Sequence, residues 1–112
     1  KRSNIFISDS VISNGYAWNG GCLWIYDTAL TLYKTDITDC KATHNGGGLA
    51  AVEYTRYPQY DLCLSAYYTN FIRNYAINDG GGAWLELHGD QTDTLSGGRP
   101  SCVKVFDVNF VD

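Results

Sequence analysis

Four cysteines, two histidines and twelve acidic residues carry most of the reactive chemistry in this 112-residue sequence, and their spacing limits what that chemistry is. Cys22, Cys40, Cys63 and Cys102 include no CxxC pair, so they read as disulfide partners rather than as a zinc set. Cys40 and His44 can be drawn as nucleophile and base, but a disulfide cysteine beside a turn histidine is the better reading. The acids are dispersed, whereas glycoside cleavage needs carboxylates converging on one face. The glycine runs opening at Gly20, Gly46 and Gly80 start no helix in a GxxxxGK[ST] or GxGxxG pattern, and they lack the aspartate of GGxGxD calcium repeats. The sequence therefore asks for no catalytic residue, cofactor or metal.

Those glycines belong to a repeat. An apolar anchor stands at Val11, Ile37, Phe71 and Phe110, and three residues after the first three come Asn14, Cys40 and Asn74. Nine residues after each of these three anchors a glycine run opens (20−11, 46−37, 80−71), preceded by Asn19, Asn45 or Asp79. A short apolar segment follows each run, beginning at Leu23, Leu49 and Ala83. Successive anchors are 26, 34 and 39 residues apart (37−11, 71−37, 110−71), so the variation in length falls after the glycine segment. Constant blocks with insertions at one corner are the mark of stacked units.

Local patterning selects the kind of unit. Leu30-Thr31-Leu32, Leu62-Cys63-Leu64, Val103-Lys104-Val105 and Ala83-Trp84-Leu85 alternate with period two, and no stretch has amphipathic helical spacing. Equivalent strands of successive copies run the same way, and parallel strands need long connections, which the remainder of each copy provides. The expected fold is all-β, a right-handed parallel β-helix of about four coils, near 3–28, 29–61, 62–101 and 102–112, the last incomplete, forming one domain over 1–112. Gly20, Gly21, Gly46, Gly47, Gly80 and Gly81 are read as stacked corners, with Asn14 and Asn74 bonding turn backbone. Asp36, Asn70 and Asn109 precede their anchors, with Ser10 in the first copy, and read as a column of turn-forming polar side chains rather than a metal ladder.

Phe71-Ile72-Arg73-Asn74 is an FxxN, and Gly81-Gly82-Ala83-Trp84 is a GGA followed by a large apolar residue. The pair resembles the FxxN and GGA[ILV] repeats of chlamydial polymorphic outer-membrane proteins and related right-handed β-helix surface proteins. Val11-Ile12-Ser13-Asn14 with Gly20-Gly21-Cys22-Leu23, and Ile37-Thr38-Asp39-Cys40 with Gly47-Gly48-Leu49, are degenerate copies, so the resemblance spans nearly the whole chain. It departs where Cys40 replaces the asparagine and Trp84 replaces a branched aliphatic residue. The resemblance implies a β-helix with a structural or adhesive surface role.

Placed on the repeat, Cys63 and Cys102 each stand eight residues before an anchor (71−63, 110−102), one above the other at about 5 Å, within disulfide reach. Cys22 and Cys40 then pair by exclusion. Disulfides imply an oxidising, extracellular or cell-surface setting. If Leu23, Ile25, Leu49, Ala51, Ala83 and Leu85 point inward, Trp24, Ala50 and Trp84 form an outward column with Tyr26 beside it. That column is covered by a second chain or an overlying segment, or stacks on a sugar. Tyr54, Tyr57 and Tyr60 lie in one insertion and either face a partner or glycan or pack on the wall.

Composition sets the remaining bounds. A net charge of −4 with scattered Lys and Arg gives no basic face for nucleic acid, and no apolar run reaches the roughly 20 residues of a membrane span. The chain opens at Lys1 and closes two residues past Phe110, which fits a segment of a longer chain or a subunit that stacks end to end. The functional expectation is a structural or adhesive extracellular element that self-associates or continues a longer β-helix, with carbohydrate binding or polysaccharide degradation as the alternative.

Overall fold

The computed structural model describes residues 4–26, 28–53, 63–87 and 102–112, leaving the side chains of Glu53, Cys63, Leu87 and Cys102 aside. The described chain is all-β. Its strands are β1 (Asn4–Ser8), β2 (Val11–Ser13), β3 (Tyr16–Asn19), β4 (Leu23–Tyr26), β5 (Ala29–Tyr33), β6 (Asp36–Thr38), β7 (Lys41–Asn45), β8 (Leu49–Glu53), β9 (Cys63–Ile72), β10 (Tyr75–Ala76), β11 (Ala83–Leu87) and β12 (Cys102–Val111). Every pairing between them is parallel.

Three sheets result. The first runs β1-β5-β9-β6-β2 with β12 also on β9, the second β10-β7-β3 and the third β11-β8-β4. In chain order the strands visit these sheets in a fixed cycle, so each pass lays one strand beside its predecessor, about 4.8 Å away. Period-two alternation decides what β5 buries: Leu30 and Leu32 are buried, while Thr31 between them and Tyr33 after them stay half-exposed. The core gathers Leu30, Leu32, Ile37, Leu64, Ala66 and Phe71 from the first sheet and Ile25, Leu49 and Ala51 from the third.

Residues in the left-handed conformation stack at the bends. Asp9, Lys34, Tyr68 and Asp107 form one such set, at φ 49°, 49°, 51° and 54°. Asn14, Asp39 and Arg73 form a second, at 61°, 57° and 51°. Gly20, Gly46 and Gly80 form the third, at 62°, 69° and 67°, and only here does the sequence use glycine. The left-handed conformation costs a non-glycine residue about 1–2 kcal/mol, so the first two bends persist because parallel pairing on both sides holds them.

Hydrogen-bonded side chains tie the coils together. Asn109 Nδ2 donates to Asn70 Oδ1 at 3.0 Å, and Asn70 Nδ2 donates to Asp36 Oδ1 at 2.9 Å. Asn45 N donates to Asn19 Oδ1 at 3.1 Å, and Asp79 N to Asn45 Oδ1 at 3.1 Å. Asn45 is buried, so this bond also satisfies a polar group withdrawn from water.

Three sequence expectations change. Ile12, not Val11, pairs with Ile37, and Val11 faces solvent opposite Asp36. The first block is thus eight residues from anchor to glycine (20−12), and a register shift between Ala17 and Asn19 restores the match to β7. Ser10 consequently leaves the asparagine column and joins Thr35 and Thr69, each hydroxyl donating to the carbonyl two residues before it. Leu85, expected inside, is exposed, because no described strand lies over β11. The same effect separates Phe71, 4% exposed, from Phe110 stacked on it at 4.8 Å and 62% exposed.

Candidate functional site

Sheet two presents a mixed aromatic and polar surface. Ala17, Ala42 and Ala76 share one register column, and Ala42 is fully buried. The residue before each alanine therefore turns outward, giving a column of Tyr16, Lys41 and Tyr75. Lys41 is exposed and its ammonium lies 5.7 Å from the Tyr75 ring centroid, where the ring face attracts a cation.

A second column forms one step along the strands. Between Ala42 and Asn45, β7 has one residue more than β3 has between Ala17 and Asn19. His44 comes over Trp18, with ring centroids 4.8 Å apart and planes 15° from parallel. Asn78 follows, its Nδ2 2.6 Å from His44 Nδ1. The amide nitrogen carries hydrogens it can donate to that ring nitrogen. Tyr16, Trp18 and Tyr75 are 69%, 65% and 56% exposed, far more than core aromatics.

The expected surface on sheet three has a different character. Trp24, Ala50 and Trp84 occupy one column as expected, and Tyr26, Val52 and Glu86 the next on the same face. Trp24 is exposed and meets Tyr26 edge-on at 6.3 Å, whereas Trp84 is half-buried and Ala50 is 0% exposed. The two indoles therefore do not present matching open platforms. Tyr54, Tyr57 and Tyr60 lie outside the described residues.

Cys22 and Cys40 form a disulfide with Cα atoms 5.6 Å apart. They stand in different columns, which explains why repeat position alone left this pair to exclusion: Cys40 lies under Asn74, and Cys22 lies under Gly48 and Gly82. The bond thus joins the end of one bend to the glycine corner of the coil below. One coil higher the same gap is closed without sulfur. Asn74 Oδ1 accepts the Cys40 N–H at 2.9 Å, and Asn74 Nδ2 donates to Ile37 O at 2.9 Å. A Cβ on Gly48 would stand 3.0 Å from that Nδ2, so the corner needs glycine where the asparagine enters. Gly15, rather than Asn14, holds the corresponding place in the first coil.

Gly21, Gly47 and Gly81 follow the left-handed glycines and bond successive corners, Gly21 N to Gly46 O and Gly47 N to Gly80 O. The backbone register also sets Cys102 opposite Cys63, while their side chains lie outside the described residues. Asp39 and Arg73 make a two-point ion pair at the second bend, Nε to Oδ1 at 2.8 Å and Nη2 to Oδ2 at 2.9 Å. The Arg73 hydrogen bonds, then the Thr38 hydroxyl, hold the Asp39 carboxyl down at about 2.

Sequence reading passed over Tyr16, Trp18, Lys41 and Tyr75. The signal was present as a large residue before alanine in Tyr16-Ala17, Lys41-Ala42 and Tyr75-Ala76, three or four positions ahead of the glycines' Asn or Asp neighbours (19−16, 45−41, 79−75). No helix among the described residues is long and apolar enough to cross a membrane, a statement that leaves strand-built membrane barrels untouched. No protein-family model matches the chain, and neither a curated protein nor a solved structure matches it.

Proposed function

We propose that the chain is a right-handed parallel β-helix module of the cell surface or extracellular space, with a structural or adhesive role, that associates with further copies or with the coils of a longer chain. The observation carrying this reading is the alignment of corners: left-handed residues stack in three sets while the strands visit three sheets in constant order. Such stacking gives a rod whose end strands keep unpaired backbone groups. β12 supports association directly, since Val103, Val105, Phe106, Phe110 and Val111 are all exposed along it. The Cys22–Cys40 bond favours an oxidising setting. The FxxN and GGA resemblance to chlamydial polymorphic outer-membrane proteins points to the same kind of surface role.

Light scattering and electron microscopy on the purified chain at rising concentration test this. Rods or concentration-dependent oligomers are expected, and Val105→Lys, which puts a charge on the exposed edge, is expected to return the protein to single copies. A chain that stays single at every concentration would remove the assembly half of the proposal. The carbohydrate-binding reading is favoured by a separate observation, the outward face of sheet two.

A further inference from the structure

We infer that the outward face of β3, β7 and β10 binds an acidic glycan, a chain of pyranose rings bearing carboxylates. The inference deepens the adhesive half of the proposed function and rests on it. Three features carry it.

The first is composition. Tyr16, Trp18, Lys41, His44, Tyr75 and Asn78 bring two phenols, an indole N–H, an ammonium, an imidazole and an amide to one face, and none is a carboxylate. The whole chain has net charge −4, so a cation among donors and no acids is a local departure. Hydroxyl-rich rings with carboxylates are the ligands such a set satisfies: the ammonium and N–H groups meet the carboxylate, and the phenols exchange hydrogen bonds with hydroxyls.

The second is geometry. Adjacent coils put side chains about 4.8 Å apart, and outward neighbours along one strand about 7 Å apart. Tyr16 and Trp18 are such neighbours, each with Lys41 or His44 one coil above. A flat grid of rings and donors at this spacing suits an extended polymer rather than a small molecule needing a cavity. His44 backs one face of Trp18, and Asn78 braces His44, so the indole is held in place before a ligand arrives.

The third is position. These side chains point sideways from the sheets. Alternation with the buried Ala42 turns Lys41 and its column neighbours out of the sheet.

The test uses the purified chain, with a galacturonate hexasaccharide and its carboxyl-reduced neutral counterpart as probes, followed by tryptophan fluorescence and calorimetry. The expected result is saturable binding of the acidic probe that weakens with added salt. Trp18→Ala and Lys41→Gln are each expected to weaken it about tenfold, and Trp24→Ala, on sheet three, to leave it unchanged. Circular dichroism on each variant separates loss of a ligand contact from loss of fold. A folded chain that does not bind the acidic probe overturns the inference while leaving the module reading intact. Equal binding of the reduced probe, unaffected by Lys41→Gln, overturns its acidic specificity. Binding lost in Lys41→Gln but untouched in Trp18→Ala overturns the glycan class in favour of simple ion attraction. A chain with no β spectrum overturns the module reading itself.

Discussion

Asn74 reaches down one coil to Cys40, accepting its N–H at 2.9 Å and donating to the Ile37 carbonyl at the same distance. One side chain thereby satisfies a donor and an acceptor of a neighbouring coil at the point where the chain turns. Removing it strands both groups. Asn74→Ala is expected to destabilise the fold by about 1–3 kcal/mol, the cost of orphaned partly buried polar groups, read as a lower urea midpoint at unchanged slope. Replacement without loss would show that water takes over both bonds.

Cys22 with Cys40, and Gly48 with Asn74, are two fillings of one kind of gap. The disulfide closes a loop with a sequence separation of 18, so Cys22→Ala with Cys40→Ala is expected to lose roughly 3 kcal/mol. Cys22→Gly with Cys40→Asn should recover part of that loss, because the new asparagine can bond the Gly15 N–H and Ile12 carbonyl as Asn74 bonds Cys40 and Ile37. Chemical denaturation of the two double variants side by side decides the point. Equal stability would mean that the asparagine does not take up the bonding role at this position.

Cys63 and Cys102 face each other in the backbone register of β9 and β12. Peptide mapping of the unreduced protein is expected to give a linked Cys63–Cys102 fragment beside the Cys22–Cys40 one. Two free thiols at these positions would remove the second bridge.

Asp39 titrates at about 2 in the folded chain, against 3.8 ordinarily, because Arg73 and then Thr38 hydrogen-bond its ionised form. Its folded value is depressed, so the contribution to stability is present above the ordinary value and is lost as pH falls from about 4 towards 2. The pair is open to solvent, which keeps the effect small and weaker at high salt. Asp39→Asn keeps a residue type that accepts the left-handed φ of 57°. Wild type and variant should differ in thermal midpoint at pH 6 and converge near pH 2. A gap that does not change with pH would place its origin outside this ionisation.

Much of the architecture could be read from residue types. The Asn or Asp before each glycine run located the bends at Gly20, Gly46 and Gly80, and alternation in β5 named its buried leucines, since both signals are local, whereas β8 buries Ala50 and Val52 as well as Leu49 and Ala51. The first coil escaped this reading because Val11 and Ile12 are both apolar, and a one-residue shift opposite β7 leaves no trace in composition. The bends at Asp9, Lys34, Tyr68 and Asp107 were hidden for a related reason: four chemically different residues share one backbone state imposed by pairing.

Sequence by itself determined the repeat, the parallel all-β character and the pairing candidates among the cysteines, because period, glycine placement and thiol count are properties of the chain. Only the tertiary structure decided that Lys41 stands between Tyr16 and Tyr75, and that Trp18 lies against His44. Those neighbours are 25 to 34 residues apart (41−16, 75−41) and meet because β7 pairs in parallel with β3 on one side and β10 on the other. Contact across coils depends on register, and a single extra residue in β7 changed which side chain met the indole.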